Sequence, residues 1–222
     1  MLPIEVMHKA QAEFLDYNNM GASVIEISHR SKEFGEIIDR SDALLRELAN
    51  IPSNYKILYV HGGAQMQFSA VPLNLINRNP ARKASFVLTG TWAVKASKEA
   101  NRYGTALDIA SSKDSNFNHI PAFDAAMLDP ESSYVHIVSN NTLYGTRWQS
   151  LPNTGDIPLV ADMTSEFMSR KLDISQFGII FAGLQKNLGP AGLAVVIIRE
   201  DLLEYAIPET PGLLNYKTYA DQ

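Results

Sequence analysis

The chain has 222 residues, of which 45% are hydrophobic and 19% charged, a composition that suits one large α/β domain or two small ones. A formal net charge of −5, with Lys and Arg scattered along the chain, gives no electrostatic footing for nucleic acid or an anionic membrane. The absence of cysteine excludes disulfides and thiolate metal sites. No apolar run approaches the roughly 20 residues of a bilayer span, and Met1-Leu2-Pro3-Ile4-Glu5 lacks a signal-peptide pattern. The expectation is a cytoplasmic protein with no membrane and no nucleic-acid partner.

Apolar residues at Ile4, Met7, Ala10, Phe14 and Leu15 predict a helix over 3–17. The same period at Phe34, Ile37, Ile38, Leu44, Leu45 and Leu48 predicts a second over 31–48, with Ser31 as N-cap and Glu33 in its first turn. After Pro52 the pattern changes. Residues 55–60 read as a short buried strand running into Gly62-Gly63-Ala64 and a helix from Gln65, which Pro72 is expected to end or bend. Further strands are predicted at 85–88, 134–138, 159–161, 178–182 and 193–198, and a helix over 91–103 with Trp92 near its start. Strands alternating with helices predict an α/β fold whose mostly parallel sheet is sandwiched by helices.

In open α/β sheets, ligands collect beyond the carboxyl ends of the strands. Three strand ends carry chemistry here. Gly62-Gly63-Ala64-Gln65 opens a helix with free backbone N–H groups, which suits a phosphate; the plainer reading is a turn that needs glycine. It is neither a Walker loop nor a dinucleotide G-x-G-x-x-G. Asp162 follows 159–161, where a cap or loop carboxylate would be ordinary. Lys186 sits in Gly183-Leu184-Gln185-Lys186-Asn187-Leu188-Gly189-Pro190, an apolar turn in which a desolvated amine would be a nucleophile towards an aldehyde. An anion cradle, a carboxylate and a lysine are what pyridoxal phosphate (PLP) requires, and Trp92 is available to stack on its ring, although it could equally be a packing tryptophan. His8, His61, His119 and His136 have no metal-ligand spacing.

Several stretches resemble the phosphoserine aminotransferase family, within the class-V aminotransferases of PLP fold type I. They are Ser28-His29-Arg30-Ser31-Lys32-Glu33-Phe34, Val71-Pro72-Leu73-Asn74-Leu75, Lys98-Glu99-Ala100 and Ala161-Asp162-Met163-Thr164-Ser165. The most specific is Gln185-Lys186-Asn187-Leu188-Gly189-Pro190-Ala191-Gly192-Leu193, and the likeness runs to about Lys217. It implies the aspartate aminotransferase-like large domain, with N-terminal helices over 1–50 and an α/β core over about 51–205, and with the small C-terminal domain absent. It implies PLP as cofactor. Lys186 would form the Schiff base, Asp162 pair with the pyridine nitrogen and Trp92 stack on the ring. Ala64, Gln65 and Gln185 would bind the phosphate, and Thr142 would touch the ring's edge. His29 and Arg30 would meet the substrate's distal anion. The implied reaction is amino transfer between L-glutamate and 3-phosphohydroxypyruvate, a phosphorylated 2-oxo acid, by a homodimer; some members also serve pyridoxal synthesis through 4-phosphohydroxythreonine.

The chain departs from the family at Asn140-Asn141-Thr142, where Asn-Glu-Thr is common, at Leu184, where alanine is usual, and at Gln65, where a small hydroxyl or arginine is usual. By the same resemblance, residues that follow the large domain reach the partner subunit's cofactor phosphate and clamp the substrate. Two other readings therefore stand beside the enzyme: a catalytically silent PLP-binding or dimerising piece, and another class-V PLP enzyme. The Ser28-His29-Arg30 cluster favours a phosphorylated or dicarboxylate substrate over the latter, unless it is only a helix start with two exposed bases.

Overall fold

A computed structural model describes residues 2–221. The chain divides between Ile51 and Pro52 into two compact units. The first holds helices α1 (Ile4–Leu15) and α2 (Lys32–Ala49). Ser31 caps α2, its Oγ accepting from Phe34 N at 3.2 Å, and Asn50 closes it in the left-handed region at φ 50°. α1 stops short of its predicted end: Asp16 is extended and its carboxylate accepts from Gly21 N, so the chain turns there. No residue of α1 or α2 is buried.

The second unit is built on a seven-stranded sheet. Its strands are β1 (Tyr55–His61), β2 (Lys83–Leu88), β3 (Thr105–Ser111), β4 (Ser132–Val138), β7 (Leu159–Asp162), β8 (Ile179–Gly183) and β9 (Leu193–Arg199), in the order β1-β9-β8-β7-β4-β2-β3. A two-stranded ladder, β5 (Asn140–Asn141) with β6 (Thr146–Arg147), stands apart from it. The run from β3 through β2, β4 and β7 to β8 is parallel, whereas β9 is antiparallel to both β8 and β1. Two reversals bring β1 back into the direction of β8. The carboxyl ends of β1, β2, β4, β7 and β8 therefore share one edge of the sheet, where ligands gather in such folds.

Residues 184–192 between β8 and β9 are too few for the crossover of a dozen or more residues that a parallel neighbour requires, so β9 returns antiparallel. The strands alternate in facing. Val60, Phe86, Val138, Val160, Phe181 and Val196 belong to the core packed under helices α3 (Gly63–Leu75) and α4 (Thr91–Ala100). Ile137, Ala161, Ile180 and Ile197, on the opposite face, are equally buried, so the central strands read as continuous apolar runs.

The expectation that Pro72 ends or bends its helix is corrected at one point: α3 continues through Pro72 to Leu75. An interior proline costs about 3 kcal/mol, and burial of Phe68, Ala70, Val71, Leu73 and Leu75 on the same helix offsets it. Beyond β9 the chain straps α3 down. Asn74 Nδ2 donates to Ala70 O and Leu214 O, Asn74 Oδ1 accepts from Tyr216 N, and the hydroxyl of buried Tyr216 lies 2.8 Å from Gln67 Oε1. A short helix, α5 (Tyr216–Ala220), ends the described residues of this unit. No helix of the described residues is long and apolar enough to cross a membrane.

Candidate active site

β1 delivers the chain to Gly62 and Gly63, whose φ values of +80° and +61° are open to glycine at little cost. They turn the strand directly into α3, which has no side-chain cap, so the first-turn amides at Ala64 and Gln65 face the sheet edge without a capping partner. Gly183, ending β8, allows the two elements to approach. A Cβ there would lie 3.1 Å from Ala64 N, 3.2 Å from Ala64 Cβ and 2.6 Å from Gln185 Oε1.

Asp162 ends β7, in register with Val138 and Phe181, and is buried. Its Oδ1 accepts from Thr164 N at 3.0 Å and from Thr164 Oγ1 at 2.6 Å; its Oδ2 has no hydrogen-bond partner among the described residues. Burial pushes the carboxyl above the ordinary aspartate value, opposed by the two Thr164 bonds and by the charge of Lys186. Lys186 stands on the turn after β8. That turn is closed by Leu188 N and Gly189 N donating to Leu184 O, and anchored by Asn187 Nδ2 donating to Phe167 O at 2.7 Å. The expectation of a buried lysine is corrected: Lys186 is exposed, because the turn projects it past the strand end rather than into the core. Its Nζ donates to Thr142 Oγ1 at 2.7 Å.

These groups converge on one pocket, lined by Ala64, Gln65, Phe68, Trp92, Asp162, Gln185 and Lys186 among others. Trp92 is in the first turn of α4, its ring centroid 6.4 Å from that of Phe68, with Lys95 Nζ 4.6 Å from the indole centroid. Thr142 joins through its bond to Lys186 rather than by lining the pocket. His29 and Arg30 belong to the other unit, at the bend before α2, and are not among the lining residues.

Sequence reasoning assigned no site role to Phe68, Val138, Asn140, Thr164 and Ser165, which also line the pocket. Thr164 and Ser165 directly follow Asp162-Met163, and Phe68 is one helical turn beyond Ala64, so spacing could have raised these three. Asn140 is held by Ser165, its Nδ2 donating to Ser165 Oγ at 2.8 Å. A larger cleft of about 510 Å³ lies among Ile120, Phe123, Trp148 and Leu151, against about 110 Å³ here. It holds none of the candidate residues, and chemistry rather than size selects the smaller pocket.

The family model described as aminotransferase class-V matches residues 1–219. The chain belongs to that family. Among curated relatives, a phosphoserine aminotransferase of Lysinibacillus sphaericus is 50% identical over 220 residues, covering 99% of this chain and 60% of the relative. Among solved structures, phosphoserine aminotransferase from Bacillus circulans subsp. alkalophilus superposes with a TM-score of 0.93 at 41% identity, covering 100% of this chain and 61% of the other. A PLP-bound phosphoserine aminotransferase from Trichomonas vaginalis gives 0.90 at 36% identity, covering 98% and 61%. The class-V chain therefore has the fold type I architecture of these enzymes and spans about 60% of the length of the curated relatives it matches.

Proposed function

We propose that this class-V chain supplies the PLP-holding part of a phosphoserine aminotransferase, moving an amino group between L-glutamate and 3-phosphohydroxypyruvate. The observation that carries this reading is the meeting, in one pocket, of buried Asp162, Lys186 and Ala64, which Gly183 lets lie close against the end of β8. The residues fit PLP. Gly183 keeps open a space beside the α3 amides that a Cβ would fill, as a phosphate seat requires. A buried carboxylate with one bonded and one unpartnered oxygen calls for a positive N–H partner, such as a protonated ring nitrogen.

When bound, PLP supplies an aldehyde that condenses with amines and a ring that draws electrons from the substrate's Cα. Asp162 would keep a proton on the ring nitrogen and so sustain that pull. Lys186 would be the covalent anchor and then, once released, the base that takes the proton from Cα and returns it elsewhere. Trp92 would set the ring's plane and Thr142 its edge, while the amides at Ala64 and Gln65, with Gln185, would hold the phosphate. Arg30, with His29, would read the substrate's distal anion, since a guanidinium meets phosphate or carboxylate with two parallel hydrogen bonds. Assembly as a homodimer and a second use in pyridoxal synthesis go with this reading and rest on the resemblance; a cytoplasmic location also goes with it.

The relatives are longer, and by resemblance their further residues clamp the substrate carboxylate that orients Cα for proton transfer. Residues 1–222 on their own are therefore expected to take up PLP and to turn over little. The test adds L-glutamate and 3-phosphohydroxypyruvate to the PLP-loaded chain, alone and joined to the carboxyl-terminal segment of the Lysinibacillus sphaericus relative. Phosphoserine from the joined form, with at least about 100-fold less from the chain alone, supports the proposal. Failure of the chain to take up PLP at all counts against it.

A further inference from the structure

We propose that Thr164 is a positioning residue that clamps Asp162 by one oxygen and thereby presents the other to the ring nitrogen. The inference rests on the reading of Asp162 as the ring's partner and adds what holds it in that pose. Two donors of Thr164, its backbone N–H at 3.0 Å and its hydroxyl at 2.6 Å, converge on Asp162 Oδ1. The hydroxyl is not free to turn away, because Thr164 Oγ1 accepts from Gly183 N at 3.2 Å. With that lone pair taken by an N–H, the hydroxyl proton is directed to the carboxylate.

The clamp also ties the two strand ends that carry the site. Asp162 closes β7 and Gly183 closes β8, and a main-chain bond near these ends runs from Met163 N to Phe181 O. Thr164 thus links the carboxylate to the residue that makes room beside Ala64. An aspartate side chain turns easily about its last bond, and with both acceptor sites unpartnered it could present either edge to the pocket. With Oδ1 doubly occupied, rotation would break two bonds, both charge-assisted when the carboxylate is ionised. The pocket therefore receives Oδ2.

Thr164→Val keeps the shape and the backbone bond, and removes the hydroxyl. Thr164→Ala does the same with less bulk, and serves if valine does not fold. Thr164→Ser keeps the hydroxyl. The first measurement uses the full chain without cofactor: the Asp162 carboxyl is followed by carbon NMR across pH, assigned through Asp162→Asn. The expected result is a higher titration midpoint in the valine or alanine variant and the wild-type midpoint in the serine variant. The second uses protein loaded with ring-¹⁵N PLP, whose nitrogen shift reads ring protonation. It should move in Asp162→Asn and, in the same direction, in Thr164→Val, with Cα proton removal from L-glutamate, followed in the form joined to the carboxyl-terminal segment, slowed on the order of tenfold. If Asp162→Asn moves the ring signal while Thr164→Val and Thr164→Ala leave both signals unchanged, the positioning role is overturned. If Asp162→Asn leaves the ring signal unchanged, the assignment of Asp162 fails, and this inference with it.

Discussion

Asp162, the proposed partner of the ring nitrogen, shows how a site residue can work against stability. Its carboxyl is buried, and burial raises its protonation midpoint above the ordinary aspartate value. The unfolded chain therefore gives up the proton first as pH rises. Stability is full below the unfolded value and is lost as pH climbs from there through the higher folded value, so a cofactor-free, ionised Asp162 is a net cost. Asp162→Asn keeps an oxygen for the Thr164 donors, and in the absence of cofactor it should melt at or above the wild-type temperature at pH 7. Calorimetry of the two proteins checks this, and a clear fall in melting temperature would show that the charged form is already compensated. His136 gives the opposite sign. It lies between the rings of Phe86 and Phe181, at centroid distances of 5.2 and 6.1 Å, with neither ring nitrogen partnered among the described residues. Burial pushes it down to about 3. Stability is full above the unfolded midpoint near 6.5 and falls as pH drops towards 3, by at most roughly 5 kcal/mol. His136→Phe should gain on wild type progressively from pH 6.5 to 4 in denaturant melts; parallel pH curves would contradict it. Asp162 and Lys186 were legible because each follows a β-rich run, and Lys186 stands in a turn bounded by Gly183 and by Gly189-Pro190. The exposure of Lys186 was not, since it depends on bonds from Asn187 and Gly189 that no local pattern signals.

At the scale of elements, the site depends on how closely β8 approaches the start of α3. Gly183→Ala places a Cβ 3.1 Å from Ala64 N, a backbone atom that cannot swing aside, whereas Gln185 can move its Oε1. The expected outcome is a loss of about 1–3 kcal/mol in stability, with weaker PLP uptake in spectral titration because the α3 amides are pushed off the pocket. Unchanged affinity would mean that the phosphate seat lies elsewhere. The strands β1, β2, β4, β7, β8 and β9 were readable as short apolar runs because they are buried on one or both faces. β3 was not, for it is an edge strand with no buried residue and without a two-residue burial alternation, and with Asp108 in its middle, where the acid accepts from Ser97 Oγ. The β5–β6 ladder, which flanks Thr142, has two residues a side and no period to detect. The antiparallel pairing of β9 with β1 joins strands more than a hundred residues apart, beyond the reach of any window-based reading.

For the whole molecule, the fold explains why residues as distant in sequence as Ala64, Asp162 and Lys186 share a pocket. The two reversals around β9 return β1 to the direction of β8, so cradle, acid and lysine all emerge at one sheet edge. Had β1 paired parallel to β9, its glycines would open at the opposite edge, and a phosphate seat could not meet the lysine. The central claim is that this edge binds PLP covalently through Lys186. The chain loaded with PLP is reduced with borohydride, digested and mapped by mass spectrometry. The pyridoxyl group is expected on the peptide carrying Gln185-Lys186-Asn187 and is expected to be lost in Lys186→Ala. A pyridoxyl group on any other lysine, or labelling undiminished in Lys186→Ala, would contradict it.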